Sequence, residues 1–330
     1  MSSNTVHNRQ TYIGLPVTFA VCSNDPGRVS ANSIRNLAQL GSEDRLLIVF
    51  DADDEPRMAA IARELRGRGL GVMFSGPSRG LSEARNAAIQ AAGTRYLVFL
   101  DDDVTVSRSA VEDLRAAFAA GGHIVGARLD PGPGIDLSKW YISHSQFHYL
   151  GIHRQDVAGK TWGACMGFDL NFVRERGLRF RIELGRRGQS LISGDDTTFV
   201  SECVQLQARE IFLEHTRVHH HVAPSRLTLA CILRRAFWQG RSEVRRSNSY
   251  RGALKEWKRN TYGWHQTPLR TFGLAVLYQT AVILGIGVEW AGSNSNALRS
   301  ETALERPPEL NGDQGRESIS RVHQRVEPAA

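Results

Sequence analysis

Five short apolar runs separated by helix-like stretches occupy Val17 to Ala127, and nothing else in the chain restricts its fold as much. Val17–Val21, Leu46–Phe50, Gly71–Phe74, Tyr96–Leu100 and His123–Ala127 have the length and composition of buried strands. Between them Ile34/Leu37/Leu40, Met58/Ile61/Leu65, Ala84/Ala87/Ala91 and Val111/Leu114/Phe118 recur at helical spacing. Pro56 opens the second of these helices, Ser82 can cap the third, and Ser109-Ala-Val-Glu112 reads as a capping box for the fourth. Strands alternating with helices of this length predict βαβ units and an α/β fold with a mostly parallel central sheet flanked by helices. In such a sheet ligands lie beyond the carboxyl ends of the strands. Ser23/Asn24, Asp51/Asp53 and Asp101–Asp103 all fall at such ends, so the fold alone collects them on one rim.

Side chains alternate faces in an extended chain, so Asp101 and Asp103 can point the same way and Asp102 the other. Two carboxylates so placed suit a hard divalent cation that in turn binds phosphate. The net charge of +7 is carried by arginine, with only four lysines (Lys139, Lys160, Lys255, Lys258). The basic residues form two clusters, 174–187 and 226–259, and not one long run with interleaved aromatics, which argues against nucleic-acid binding. Cys22, Cys165, Cys203 and Cys231 have no metal-ligand spacing and read as reduced residues of a cytoplasmic protein. Met1–Gln10 is polar, so no signal peptide is expected there.

Beyond Asp130 the pattern loosens. Trp140, Tyr141, Phe147, Tyr149 and Trp162 read either as packing around a long loop or as a wall of ring faces for an acceptor. Gly163–Phe168 is small and apolar and is expected to lie close against the first half. Asp195-Asp196-Thr197 opens a helix, and His219-His220-His221 ends a strand. Ser225–Arg246 is basic and helical. Residues 271–288 carry no charge but hold Tyr278, Gln279, Thr280 and three glycines. That composition favours a buried core helix or a membrane-surface helix over a spanning one. After Ser293 the chain is polar and reads as a disordered tail.

Val17–Asn24, Asp51, Gly80-Leu-Ser-Glu-Ala-Arg85-Asn86, Phe99-Leu-Asp-Asp-Asp103 and Gly194-Asp-Asp-Thr197 follow the order seen in family 2 glycosyltransferases of the GT-A fold, and the chain resembles them over roughly residues 12–247. The resemblance implies a nucleotide-sugar-binding half (11–128), an acceptor-binding and catalytic half (129–222), C-terminal helices (223–291) and the tail (292–330). It implies that Ser23, Asn24, Asp51, Asp53, Arg85, Asp101, Asp102 and Arg241 bind the nucleotide sugar. Asp51 takes the base, Asp53 being a weaker candidate for that role. Asp103 and one histidine, taken as His220, would hold Mg²⁺ or Mn²⁺. Asp196 would be the general base of an inverting transfer; Asp195 stands where relatives usually carry Glu. The processive synthases' Gln-x-x-Arg-Trp motif is lacking, which argues against processive synthesis.

These expectations describe a metal-dependent glycosyltransferase, in the cytoplasm or at the inner face of the membrane. It would use a nucleotide-diphosphate sugar, UDP by default, and a glycan, lipid-linked or small-molecule acceptor. Two rivals use the same residues. One is a non-catalytic sugar-nucleotide-binding protein, which has no need to keep both Asp103 and a second carboxylate pair. The other is a haloacid-dehalogenase-type phosphatase, suggested by Asp101-Asp-Asp103-Val-Thr105, which normally places its nucleophile on the first strand.

Overall fold

β1 (Val17–Ser23) is buried along its whole length, and its side chains divide between two cores with the two-residue period of a strand. Val17, Phe19 and Val21 enter one hydrophobic cluster; Ala20 and Cys22 enter the other. β4 (Tyr96–Leu100) does the same, with Tyr96, Val98 and Leu100 on one side and Leu97 and Phe99 on the other. A sheet buried on both faces needs apolar residues at every position, which is why these runs show no polar alternation. The computed structural model describes residues 15–51, 56–76, 79–142, 147–155, 158–261 and 269–304.

The remaining strands are β2 (Arg45–Phe50), β3 (Gly71–Phe74), β5 (Val104–Thr105), β6 (Ile124–Pro131), β7 (Cys165–Asp169) and β8 (Glu210–His220). The helices are α1 (Pro26–Leu37), α2 (Pro56–Gly67), α3 (Leu81–Ala91), α4 (Arg108–Ala119), α5 (Phe147–Leu150), α6 (Leu170–Glu175), α7 (Asp195–Gln205), α8 (Leu229–Ser247), α9 (Tyr250–Thr261) and α10 (Leu269–Leu304).

The sheet order is β3-β2-β1-β4-β7-β6-β8-β5. β3, β2, β1 and β4 are parallel, as the βαβ pattern requires. β7 then enters antiparallel to both β4 and β6. The sheet is therefore mixed, because the chain returns through residues 132–164 and inserts β7 from the opposite direction. β8 is a single long strand, parallel to β6, and its end pairs with β5 so that Val104 faces His220. The α4 cap is Ser107, whose Oγ accepts from Ala110 N–H (3.2 Å), two residues before the expected Ser109. Ser82 does not cap α3; its hydroxyl donates to Leu184 O (2.6 Å) and ties α3 to the loop before α7.

A third cluster joins α5, α8, α9 and α10 through Leu150, Ile232, Ala236, Ala253, Tyr278, Val282 and Ile286. α8 and α10 meet backbone to backbone. A Cβ on Gly240 would lie 1.9 Å from Val282 O, and one on Gly285 would lie 1.9 Å from Phe237 O. Residues 1–290 form one compact unit and 291–330 a second, to which the last turns of α10 belong.

Candidate active site

The rim expected from the strand ends is built. Ser23 and Asp51 close β1 and β2, with Asp51 N–H donating to Ser23 O (2.9 Å). Asp51 Oδ1 accepts from Gly80 N–H (3.0 Å), which holds the turn into α3. Gly80 has φ of +99°, a conformation that favours glycine, and a Cβ there would lie 3.1 Å from Arg186 O. Asn24 is exposed beside this rim. Asp53 lies outside the described residues.

The three carboxylates after β4 have different surroundings. Asp101 is the most open, with Arg85 Nη2 3.4 Å from its Oδ1. Asp102 turns back into the protein, where it accepts a short hydrogen bond from Ser23 Oγ and lies 3.5 Å from Arg28. Burial pushes its carboxyl up to about 6, against the Ser23 hydrogen bond and the Arg28 charge. Asp103 meets His220 Nε2 at 3.0 Å through one oxygen and Arg226 Nη1 at 3.0 Å through the other, with Arg28 at 3.8 Å. Burial alone would raise Asp103, but the His220 hydrogen bond and the charges of His220, Arg226 and Arg28 hold it well below the usual carboxylate range.

The β5–β8 register selects His220 from the three consecutive histidines. His220 is buried against Asp103, His219 is exposed, and His221 bonds Thr105 Oγ1 (2.8 Å). His220 Nδ1 lies 3.0 Å from Gly151 O, which assigns that nitrogen a proton. Nε2 then faces a carboxylate oxygen, and two such acceptors are joined by a proton or a cation. Cis ligands of Mg²⁺ stand about 3.0 Å apart, so the Asp103–His220 spacing fits a divalent ion that completes its shell with phosphate and water. Among the described residues no group of three or more His, Cys, Asp or Glu could hold a metal by itself.

Arg85 on α3 joins the two halves. Nη1 is 2.5 Å from Asp195 Oδ2, and Nη2 is 3.3 Å from Gly163 O as well as 3.4 Å from Asp101. Burial opposes its charge, but Asp195, Asp101 and Asp196 hold the guanidinium protonated far above its ordinary range. Asp196 sits beside this pair in the first turn of α7. Its Oδ2 accepts from Gly163 N–H (2.7 Å) and its Oδ1 from its own helix at Thr197 N–H (2.7 Å). Burial and the neighbouring Asp195 raise its pKa, while Arg85 and the two backbone donors oppose the rise. A Cβ on Gly163 would lie 2.6 Å from Arg85 and 3.0 Å from Asp196. The close approach expected of residues 163–168 thus falls at the centre of the site.

Arg226 and Arg235 stand together at the Asp103 side with Arg186 close by. Burial and the Arg186 charge lower Arg226 despite Asp103. Burial, Arg186 and Arg226 bring Arg235 down to about 9. Arg235 Nε is buried with no hydrogen-bond partner among the described residues. Such a group of cations suits an anion.

Arg241 is not part of this group. Its Nε donates to Glu289 Oε2 on α10 (2.6 Å) and its guanidinium covers Trp238, so it fastens α8 to α10. Sequence reasoning did not single out Arg28, Arg226 or Gly163 as site residues. Arg226 lay in a stretch marked only as basic. His153, in the aromatic stretch, is structural: it stacks on Trp162 (4.0 Å), accepts from Leu129 N–H (2.9 Å), and burial brings it down to about 4. Trp140 remains exposed.

Residues 29–182 match the family model described as glycosyl transferase family 2. The succinoglycan biosynthesis protein ExoM of Rhizobium meliloti (strain 1021) is 27% identical over 223 residues, covering 65% of this chain and 70% of that protein. A mannosyltransferase from Pyrobaculum calidifontis, solved with GDP-Man and Mn²⁺, superposes with a TM-score of 0.50 at 13% identity, over 87% of this chain and 79% of that one. S. aureus TarS 1-349 in complex with UDP gives a TM-score of 0.47 at 15% identity, over 82% of this chain and 81% of that one. The family match takes in β2, β3, β4, β6 and β7, and the mannosyltransferase shares the fold, so the chain is similar to family 2 glycosyltransferases and has a GT-A architecture.

Proposed function

We propose that the chain transfers a sugar from a nucleoside-diphosphate donor, UDP by default, to a hydroxyl of a glycan, lipid-linked or small-molecule acceptor, with inversion. The observation that carries this reading is the bridge from Asp101 through Arg85 to Asp195, with Asp196 alongside. It sets a second carboxylate beside the donor rim, where an acceptor hydroxyl can be deprotonated.

Asp51 accepts from the base, with Asp53 as a second candidate. Ser23, Asn24, Asp101 and Asp102 line the ribose and sugar side, where Asp102 acts by holding Ser23. Arg226 and Arg235 take the diphosphate charge, which answers the unpartnered Arg235 Nε. Asp103 and His220 would hold Mg²⁺ or Mn²⁺. The cation would supply Lewis-acid stabilisation of the leaving diphosphate. The acceptor oxygen attacks the anomeric carbon and its proton passes to Asp196. The bond from that carbon to the diphosphate oxygen breaks, and the electron pair leaves with the nucleoside diphosphate. The raised Asp196 carboxyl is a better proton acceptor than an ordinary aspartate, and Arg85 pairs with Asp195 beside it.

The four cysteines are free and suit a reducing compartment, so we place the chain in the cytoplasm at the inner face of the membrane. The test is a screen of UDP- and GDP-sugars for nucleoside-diphosphate release with Mg²⁺ or Mn²⁺. Release that depends on the donor and disappears in Asp196→Asn supports transfer. Release of phosphate from simple phosphomonoesters, without use of any nucleotide sugar, overturns it.

A further inference from the structure

Between Phe272 and Trp290, α10 has an outward side without charge. Its inward side is spent on α8: Tyr278, Val282 and Ile286 enter the third core, Tyr278 OH donates to Tyr141 O (2.8 Å), and Glu289 accepts from Arg241 and Arg245 (2.6 Å each). Glu289 is the one acidic residue between Leu269 and Ser300, and it points inward. Phe272, Leu277, Ile283, Leu284 and Val288 are each more than 40% exposed on the other side, with Thr280 the only polar side chain among them. At 100° per residue these positions span nearly half the helix circumference. A two-helix contact uses a narrower seam.

The setting of this face points to one occupant. α9 runs beside α10, joined by Trp257 Nε1–H to Gln279 Oε1 (2.8 Å) and by Tyr250 against Trp290 (5.2 Å). Tyr250 and Trp290 are both exposed, and aromatic rings with a polar edge favour the boundary between headgroups and acyl chains. Arg251, Lys255 and Lys258 recur at helical spacing on the exposed side of α9, whose one acid, Glu256, is half-buried beside Arg246 at 3.5 Å. A wide apolar helix face bordered by cations and aromatics matches an anionic lipid surface.

We propose that α10 lies in the plane of an anionic membrane surface, with its 272–290 face in the headgroup–acyl boundary and the α9 cations over the lipid phosphates. Phe272–Ser293 is long and apolar enough to cross a membrane. Spanning would expose Glu289 and strip Tyr278, Val282 and Ile286 from the core, so the helix lies on the bilayer and does not cross it. This surface is independent of the donor site, and its test does not need transfer to succeed.

The 330-residue chain is sedimented with phosphatidylcholine vesicles with and without phosphatidylglycerol. The expected result is binding to the anionic vesicles that weakens with salt. Leu277→Glu/Leu284→Glu, on the exposed face, is expected to lower that binding about tenfold or more with unchanged thermal unfolding and unchanged donor binding. Lys255→Gln is expected to weaken it about fivefold. Wild-type protein that stays in solution with anionic vesicles overturns the proposal. So does a wild-type dimer that Leu277→Glu/Leu284→Glu converts to a monomer without changing vesicle binding.

Discussion

Arg85 Nη1 on α3 stands 2.5 Å from Asp195 Oδ2 on α7, 110 positions along the chain, and both side chains are about 95% buried. This ion pair joins the half that carries the donor rim to the half that carries the proposed base. Its loss leaves a buried carboxylate without a counter-charge. Arg85→Met is expected to destabilise the fold by about 3–5 kcal/mol, visible in chemical denaturation. Arg85→Lys keeps the charge but cannot span Asp195, Asp101 and Gly163 O together. It is expected to recover much of the stability and little of the activity.

Gly163 is a second point of contact between the halves. Its N–H donates to Asp196 and its carbonyl accepts from Arg85, while a Cβ has no room. Gly163→Ala is expected to displace the Arg85 guanidinium or Asp196. Turnover should fall about tenfold or more, with donor affinity kept within about twofold. Calorimetric donor binding and initial rates separate these effects.

The pH dependence has two parts of opposite sign. Asp102 has a folded-state pKa raised to about 6 from 3.8, so its protonated form is favoured by folding. That contribution is complete below pH about 4 and is lost as pH rises toward 6. Asp103 is shifted downward, so its contribution is present above the ordinary carboxylate pKa and is lost as pH falls through its lowered value. Asp102→Asn is expected to remove the decline between pH about 4 and 6, measured by denaturation at each end of that window. For catalysis, the raised Asp196 must be deprotonated to act. The acid limb of kcat/KM is expected above the usual aspartate value.

Arg241 was expected at the donor and instead bonds Glu289. Arg241→Ala is expected to leave donor affinity unchanged and to lower thermal stability. Arg226→Gln, which removes a direct partner of Asp103, is expected to weaken nucleoside-diphosphate binding about tenfold or more. Side-by-side calorimetry with UDP distinguishes the two arginines.

Local pattern carried most of the first half of the fold. The five apolar runs and their intervening helices are settled by near neighbours, and strand-end placement then brings Ser23, Asp51 and Asp101 together. The second half depends on contacts between distant residues. The antiparallel entry of β7 between β4 and β6 leaves no mark in its five residues. His220 could not be told from His219 or His221 until β8 paired with β5. Arg226 reaches Asp103 across 123 positions, and no spacing rule finds such a pair. The Arg241 partner is equally hidden from local spacing: Glu289 lies on another helix, 48 positions away. The Asp195/Asp196 choice is open from sequence alone; in the fold Arg85 pairs with Asp195, and Asp196 accepts from Gly163 N–H.

The most direct test of Asp196 as the base compares wild type with Asp196→Asn, using a nucleotide sugar that the wild-type enzyme turns over in Mg²⁺ or Mn²⁺. Donor affinity is read by calorimetry and turnover by nucleoside-diphosphate release. We expect affinity within about twofold of wild type and release lowered about a hundredfold or more. Release by Asp196→Asn at the wild-type rate, with the donor bound equally well, contradicts Asp196 as the base.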